Sequence, residues 1–474
     1  MNDTPSRNLI TIIGLATATL IALSALPLSK LTGNILKDFD LFEDLFPAEY
    51  TVVFEADVVA PDPELSQFLA ETTAKKDTEM SSGCEGAEET EAVSSATESS
   101  SQHSVSSSQN YTVIAGDIEN YGESNSLAKL RTALSQSSSK QVRIAVAGDS
   151  FIEGDILTQD LRELFQNRYG GSGVGFMSMH TDFPGFRKTV RQTDKGWTMR
   201  DIRTMRGSDT IRALSGDYAI SNGKASTTFK GVDRSEHTSQ WTRSSAMFIA
   251  PNGGSVRLGI DGFSQDFALP ASREVQSLEL NGATSKFRIE TSTPGIIALG
   301  AFLDSDAGVQ VDCMSVRGNT GINHRKLNSS LTASMRANID YNLIIMEYGV
   351  NALSAKQSDY TAYMQALTAS ANRIKEVYPN ADIILMGIAD RGHKEGGVVR
   401  SLRTCDAMVK AQRETARRCG IHFWDTRAAM GGADACADWR KRSLMNADYT
   451  HLNHKGGGEL ARLLFDAITK VLDE

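Results

Sequence analysis

The amino-acid sequence predicts an α/β fold in which a parallel β-sheet is covered by helices on both faces. Three observations support this: short apolar runs of strand length, amphipathic stretches of helical length between them, and glycines where the runs end. The apolar runs lack the alternation of a half-exposed strand, which is typical of a sheet buried on both faces. A long segment of alternating stretches interrupts the pattern and predicts an inserted all-β module.

The predicted elements of the α/β part begin near residue 120. The strand candidates are QVRIAVAG (141–148), YNLIIMEYG (341–349) and ADIILMG (381–387). The helix candidates are SLAKLRTAL, YTAYMQALTASANRIKEVY and GGELARLLFDAITKVL, which carry apolar residues at helical spacing. We therefore expect the α/β domain to comprise residues 120–179 and 313–474.

Residues 180–312 have a different pattern. Stretches such as ASTTFKGV, SAMFIAP and SVRLGID are separated by Gly, Asn, Asp and Pro at intervals typical of an all-β sandwich. We expect an inserted sandwich here, and a set of elaborated loops within one domain is the alternative.

The N-terminal part of the chain predicts a membrane anchor. Residues 9–29 contain no charged side chain, and about 20 apolar positions suffice to cross a bilayer as a helix. We expect a transmembrane signal anchor preceded by a cytoplasmic tail (1–8), and a cleaved signal peptide is the alternative. Either reading exports the remainder, and an anchor gives a single-pass protein of the cell membrane with its main part in the periplasm or outside the cell.

Two polar segments follow the anchor. Residues 30–72 form an acidic juxtamembrane segment, and the Ser- and Glu-rich residues 73–110 contain too few large apolar side chains to fold, which predicts a disordered linker. Residues 36–99 hold 17 acidic residues against three lysines, so the net negative charge of the chain is concentrated there. No basic stripe with interleaved aromatic residues is present, and we expect no nucleic-acid partner.

The five cysteines contain no C-x-x-C pair, so the sequence predicts no zinc site. In an exported protein, a disulfide among Cys405, Cys419 and Cys436 and a set of small buried thiols are equally consistent with the spacing. Cys84 lies in the predicted linker.

Ser150 follows the first apolar run in the motif GDS. The carboxyl ends of parallel strands form the usual active-site edge of such a sheet, and DILTQDLRELFQNRY predicts a helix beginning soon after Ser150. A serine near a helix amino end is either a nucleophile beside unpaired N–H groups or, like the neighbouring Asp149, a helix cap.

Three further blocks favour the nucleophile. SVRGNTG, EYGVNAL and NADYTHLNHKGG each occur where the sheet would deliver a loop to the same edge. Together with GDS they resemble the SGNH/GDSL hydrolases, named for a Ser, Gly, Asn and His on four blocks. The resemblance implies a three-layer, flavodoxin-like sheet with Ser150 as nucleophile, His451 as general base oriented by Asp448, and an oxyanion hole formed by Ser150, Gly318 and Asn351.

A narrower resemblance concerns the C-terminal part. FWDTRAAMGG and ADWRKRSLMNADYTHLNHKG are similar to the end of peptidoglycan O-acetylesterases, which also carry a carbohydrate-binding-type β-sandwich between their first and second blocks. The resemblance implies a sandwich of that type at 180–312.

Several other residues compete for roles in the site. Gly321 is the alternative to Gly318 as backbone donor. We expect His454 to be a surface residue, His422 to be structural and Asp425 to cap a helix. Two further residues near the predicted edge, Arg317 and His393, are candidates for substrate contact.

The predicted function is that of an exported serine esterase which removes O-acetyl groups from a cell-envelope or extracellular polysaccharide through an acyl-enzyme. A serine needs an imidazole to accept its proton and a carboxylate to orient that imidazole, so no metal or organic cofactor is expected. The expected partners are an acetylated glycan and, through the anchor, a membrane. The alternatives are a polysaccharide O-acetyltransferase and a non-catalytic glycan-binding envelope protein.

Overall fold

The computed structural model describes residues 116–122, 126–205 and 209–474. The predicted tail, anchor, juxtamembrane segment and linker (1–8, 9–29, 30–72 and 73–110) lie outside these residues, as does Cys84. Within the described ranges, no helix is both long and apolar enough to cross a bilayer.

The strands and helices are numbered here in chain order. The strands are β1 Ile118–Asn120, β2 Gln141–Gly148, β3 Gly175–Met177, β4 Val190–Asp201, β5 Asp217–Gly231, β6 Trp241–Ala250, β7 Gly254–Ile260, β8 Phe263–Leu269, β9 Ser272–Thr284, β10 Lys286–Thr291, β11 Pro294–Asp304, β12 Gly308–Ser315, β13 Leu343–Glu347, β14 Asp382–Met386, β15 Gly392–Glu395, β16 Val398–Ser401 and β17 His422–Trp424. The helices are α1 Ala128–Leu134, α2 Thr158–Tyr169, α3 Ser329–Arg336, α4 Thr361–Val377, α5 Cys405–Cys419, α6 Thr426–Met430, α7 Ala435–Lys441 and α8 His454–Asp473.

The α/β domain is built on a six-stranded sheet in the order β1-β17-β14-β13-β2-β12. All neighbouring strands are parallel except the short edge strand β1, which runs antiparallel to β17. Because side chains alternate between the two faces of a strand, Ala145 and Ala147 of β2 join a core with α4 and α5. On the other face α2 and α8 pack together, with the rings of Phe165 and Phe465 4.9 Å apart. The predicted α/β sheet with helices on both faces is confirmed.

The inserted segment forms a second, nine-stranded sheet. Strands β8-β7-β10-β5-β11-β6-β9 follow one another, while β3 pairs with β11 and β4 with β5. The long strands β5 and β11 exchange partners along their length at bulges, so the sheet branches and bends around a core of its own. This arrangement agrees with an inserted, sandwich-like β module.

The ends of the inserted sheet differ from the predicted range of 180–312. The sheet begins with β3 at Gly175, which pairs with the end of β11, and it ends at Asp304. Strand β12 then returns to the α/β domain and pairs in parallel with β2 along its whole length, from Gly308 to Ser315. Residues 308–312 therefore belong to the α/β sheet.

A buried ion cluster fixes the end of the insertion to this sheet. Arg143 of β2 donates to both carboxylate oxygens of Asp312 on β12, at 2.8 and 2.7 Å, and also to Asp304 at the end of β11. The Tyr341 hydroxyl donates to Asp312 at 2.9 Å. Two carboxyl groups thus share one guanidinium group. Burial and the repulsion of Asp312 raise the pKa of Asp304, and they outweigh the attraction of Arg143, so that this pKa is about 6.

Candidate active site

Ser150 lies in a turn directly after β2, at the carboxyl end of the sheet, and is 5% exposed. The end of β2 passes close to β13, because a Cβ atom on Gly148 would lie 2.8 Å from the Glu347 carboxylate and 2.9 Å from its carbonyl oxygen. Glycine at this position therefore allows the two strands to approach where the GDS turn begins.

The helix predicted to begin soon after Ser150 starts only at Thr158. Gly154 and Asp155 both have positive φ, at 69° and 68°, so the chain cannot form a continuous helix from the GDS turn. The Asp155 carboxylate is fully buried and binds Arg162 through two bonds of 2.8 Å and Arg187 at 3.1 Å. Ser150 therefore does not lead directly into α2, because a short 3-10 turn over Glu153–Asp155 with left-handed residues, held by this ion cluster, lies between them.

Ser150, His451 and Asp448 form a continuous hydrogen-bonded chain. The Ser150 Oγ lies 3.0 Å from His451 Nε2, and His451 Nδ1 lies 2.7 Å from Asp448 Oδ2. The other Asp448 oxygen accepts the backbone N–H groups of Thr450 and His451, each at 3.0 Å. Burial opposes ionisation, but these hydrogen bonds and the nearby imidazole lower the pKa of Asp448, so it remains a carboxylate.

The loop carrying His451 has a closed backbone geometry. Met445 and Leu452 form an isolated antiparallel bridge, and the Asn446 N–H donates to the His451 carbonyl at 2.8 Å. Asn453 then caps α8 by accepting the Gly456 N–H at 3.0 Å. The imidazole is therefore presented by a tight turn fixed at both ends.

Asn351 is joined to the GDS turn through Asp149. Its amide nitrogen donates to Asp149 Oδ2 at 2.7 Å and to the Asn319 carbonyl at 3.1 Å, and the other Asp149 oxygen accepts the Phe151 N–H at 2.9 Å. Asp149 thus braces both the GDS turn and the third block. Burial raises the pKa of Asp149 to about 7, although its hydrogen bonds and the nearby His451 act to lower it.

Sequence reasoning missed a second carboxyl group at this position, Glu347 at the end of β13. It is 3% exposed, and its Oε2 lies 3.4 Å from the Asp149 N–H that donates to it. Burial and the neighbouring Asp149 hold the pKa of Glu347 well above its usual range. An acidic residue on a continuous apolar strand is the signal that would have found it.

The geometry separates the two glycines considered as backbone donors. The Gly321 N–H already donates to the Asn319 side chain at 2.8 Å. Gly318 has a φ of 78° and lies inside a turn that is closed by a hydrogen bond from the Asn319 N–H to the Val316 carbonyl. Gly318 therefore remains the predicted oxyanion donor.

The two predicted substrate contacts differ in their surroundings. Arg317 directly precedes Gly318, donates to Glu153 and lies over the Phe183 ring, 4.9 Å from its centroid. His393 lies on a hairpin formed by β15 and β16 and is 3.7 Å from Glu395.

The competing histidines and Asp425 are also placed. Asp425 caps α6 by accepting the Ala428 N–H at 2.9 Å, and His422 is buried in β17, as expected. His454 is half-buried rather than a surface residue, because it bonds Gln159 at 3.2 Å and packs against Phe186.

The cysteines of the described residues are buried free thiols, namely Cys313, Cys405, Cys419 and Cys436. The disulfide considered among the last three is therefore absent from this part of the chain. Nor do the described side chains contain a group of three or more His, Cys, Asp and Glu residues that could hold a metal ion.

Comparison with known proteins finds a family match in the C-terminal part of the chain. Residues 287–457 match the model of the GDSL-like lipase/acylhydrolase family, a range that contains Gly318, Asn351, Asp448 and His451 and begins after Ser150. No curated protein sequence matches the chain significantly.

The chain is also similar to a solved peptidoglycan O-acetylesterase, with 23% identity and a TM-score of 0.62 over 75% of this chain and 99% of the other. Weaker similarities include a family two carbohydrate esterase from Cellvibrio japonicus (13% identity, 60% of this chain and 98% of the other, TM-score 0.26) and the acetyl xylan esterase AlAXEase (17%, 34% and 81%, TM-score 0.26). The last two differ too much in overall structure for a comparison of folds. The chain thus resembles the SGNH/GDSL hydrolases over the matched residues 287–457, and its fold resembles that of a peptidoglycan O-acetylesterase.

Proposed function

We propose that this protein is an exported serine esterase that removes O-acetyl groups from a cell-envelope or extracellular polysaccharide through an acyl-enzyme. The observation that carries the proposal is the pair of hydrogen bonds in series, 3.0 Å from Ser150 to His451 and 2.7 Å from His451 to Asp448. The acylhydrolase family match and the fold shared with a peptidoglycan O-acetylesterase support the choice of ester and substrate class.

In the first proposed step, Ser150 Oγ attacks the carbonyl carbon of the acetyl ester while His451 Nε2 accepts the hydroxyl proton. The Asp448 carboxylate holds the proton on Nδ1, which leaves Nε2 free to accept, and stabilises the resulting imidazolium. The tetrahedral intermediate collapses when the bond to the sugar oxygen breaks, and that oxygen takes the proton from His451. Water then attacks the acetyl-serine by the same route and releases acetate.

The oxyanion would bind the N–H groups of Ser150 and Gly318 and the Asn351 amide. In the resting site the Asn351 amide already donates to Asp149 and Asn319. We expect the weaker of these bonds, to the Asn319 carbonyl, to be exchanged for a bond to the oxyanion. A donor of this kind typically contributes about 100- to 1000-fold in rate.

The test uses the purified protein and its Ser150→Ala variant with acetylated peptidoglycan, acetylated xylan and p-nitrophenyl acetate. We expect acetate release by the wild type and its loss in the variant, together with loss of labelling by a serine-reactive phosphonate. An Ser150→Ala variant that still hydrolyses acetyl esters would refute the mechanism. Adding a polysaccharide acceptor and following labelled acetyl groups separates hydrolysis from transfer.

Export is proposed from residues 9–29 and needs its own experiment. Alkaline phosphatase, which is active only in an oxidising compartment, is fused after residue 110 and expressed in bacteria. Activity that depends on residues 9–29 supports export, and activity that remains with the membrane fraction supports an uncleaved anchor. An inactive fusion of normal abundance contradicts both.

A further inference from the structure

A cavity of about 260 Å³ is lined by both parts of the chain, and one of its lining residues, Glu153, is close enough to His451 to interact with it electrostatically. The α/β domain contributes Glu153, three residues after Ser150, and Arg317, which directly precedes Gly318. The loop between β3 and β4 of the insertion contributes Phe183, and β4 contributes Met199. The cavity thus lies between the turn that follows the GDS motif and the insertion.

Phe183 is the aromatic side chain of this cavity that remains largely open to solvent, with 41% of its surface exposed. Arg317 lies 4.9 Å from its ring centroid and donates to Glu153, which holds the guanidinium group against the ring. An exposed aromatic side chain in the lining of a cavity offers a flat apolar surface that a ligand can cover. The face of a pyranose ring presents C–H groups that pack well on an aromatic face.

The loop that carries Phe183 is anchored at both ends. At its start, the His180 imidazole bonds Asp194 through Nδ1 at 2.5 Å and Asp182 through Nε2 at 3.0 Å. At its end, Arg187 donates to the buried Asp155 at 3.1 Å and to the carbonyl of Val174 at 2.7 Å. These contacts hold the aromatic ring in place before any ligand arrives, which lowers the entropy lost on binding.

The charges around the cavity favour a neutral ligand. Arg317 is paired with Glu153, and Arg203 is paired with Asp201 at 2.6 Å. Carboxyl groups outnumber guanidinium groups among the lining residues, five to three. An anionic sugar would therefore meet paired cations and net negative charge, whereas hydroxyl and amide groups would find both donors and acceptors.

We propose that this cavity is a glycan subsite, in which Phe183 stacks on an uncharged sugar ring adjacent to the ester that Ser150 attacks. The proposal rests on the proposed esterase function and adds which groups select a glycan over a small ester. Phe183 acts there as a specificity-determining residue.

The experiment compares Phe183→Ala with the matched control Phe263→Ala. Phe263 is also an exposed phenylalanine, 54% exposed, but it lies on the edge strand β8 of the inserted sheet. For each protein, kcat/KM is measured with acetylated xylo-oligosaccharides, O-acetylated peptidoglycan fragments and p-nitrophenyl acetate.

We expect Phe183→Ala to lower kcat/KM for at least one glycan about tenfold more than for p-nitrophenyl acetate, mainly through KM. Phe263→Ala should change this ratio less than about twofold. Equal losses on all substrates in Phe183→Ala, or equal ratios in the two variants, would overturn the subsite.

A binding measurement separates failure of the subsite from failure of the proposed function. Calorimetry with the Ser150→Ala protein follows binding of the same two oligosaccharide probes without turnover, and the double variant with Phe183→Ala is compared with it. If the wild type cleaves p-nitrophenyl acetate but neither glycan, the glycan esterase function fails. Binding that disappears in the double variant still supports the subsite in that case, and no binding by the Ser150→Ala protein overturns it.

Discussion

Replacing Asp448 by asparagine tests the proposed role of the carboxylate without changing its shape. An asparagine oxygen still accepts the backbone N–H groups of Thr450 and His451, which now donate at 3.0 Å, so the loop should keep its conformation. The asparagine nitrogen then donates to His451 Nδ1. The hydrogen of the imidazole moves to Nε2, where it faces Ser150 Oγ and blocks acceptance of the serine proton.

The expected loss is about 10³- to 10⁴-fold in kcat, the effect typical of a wrong imidazole tautomer. At about 1.4 kcal/mol for each factor of ten, this corresponds to about 4–5.5 kcal/mol of transition-state stabilisation. The structure supports the full effect because the Asp448 side chain is 13% exposed and bonds the imidazole directly at 2.7 Å. Since the pKa of Asp448 is lowered, the wild-type carboxylate is charged at every pH suitable for the assay.

The assay is kcat/KM for p-nitrophenyl acetate near pH 7.5, with the thermal midpoint as a check on folding. Asp438→Asn is the matched control, because Asp438 is 63% exposed on α7 and forms only a 3.6 Å surface pair. We expect the control to retain wild-type activity. A folded Asp448→Asn protein within about tenfold of the wild type would refute the assigned role.

Three further predictions concern stability. Asp155→Asn should lower the free energy of unfolding, measured in urea, by about 3–5 kcal/mol, because it leaves Arg162 and Arg187 without their buried partner. Asp473→Asn breaks an exposed ion pair and should lower this free energy by less than about 1 kcal/mol. Equal losses in the two variants would contradict the prediction. Gly457→Ala should lower the thermal midpoint clearly, because the new Cβ would lie 1.9 Å from the backbone oxygen of Ile156. Gly458→Ala should lower it little, because its Cβ would meet only the Asp160 side chain, at 3.2 Å. The reverse order of the two midpoints would contradict the packing of α8. The pKa of Asp304 is raised to about 6, so its carboxyl group binds a proton more tightly in the folded state than in the unfolded state, and it lowers stability as the pH rises from about 4 to 6. The thermal midpoint of Asp304→Asn relative to that of the wild type should therefore rise over this interval. A difference that stays constant with pH would contradict the raised pKa.

The sequence predicted the central strands well, because β2, β13 and β14 are continuous apolar runs. It did not predict that β12 belongs to the same sheet. This strand carries Gln310 and Asp312, which resemble the polar positions of a half-exposed strand, yet both are fully buried. Asp312 is bonded by Arg143 and Tyr341, and Gln310 donates to Ser172, so the partners lie in distant parts of the chain and no local pattern reveals the burial.

Motif spacing was enough to select Ser150, Asp448 and His451, because residue types and block order restrict the choices strongly. The cavity beside them could not be predicted, since the exposure of Phe183 results from how its loop is anchored. Similarly, no spacing rule indicates that Arg317 lies on that ring.

The structure also changes what stabilises charge at Ser150. A helix amino end beside the nucleophile would supply a general positive potential, but α2 begins eight residues later and is separated from the GDS turn by left-handed residues. Under the proposed mechanism, stabilisation of the oxyanion then depends on individually placed donors, among them the Asn351 amide that Asp149 holds at 2.7 Å. Asp149 is therefore a brace for the oxyanion turn rather than a helix cap, and its burial follows from that position between the first and third blocks.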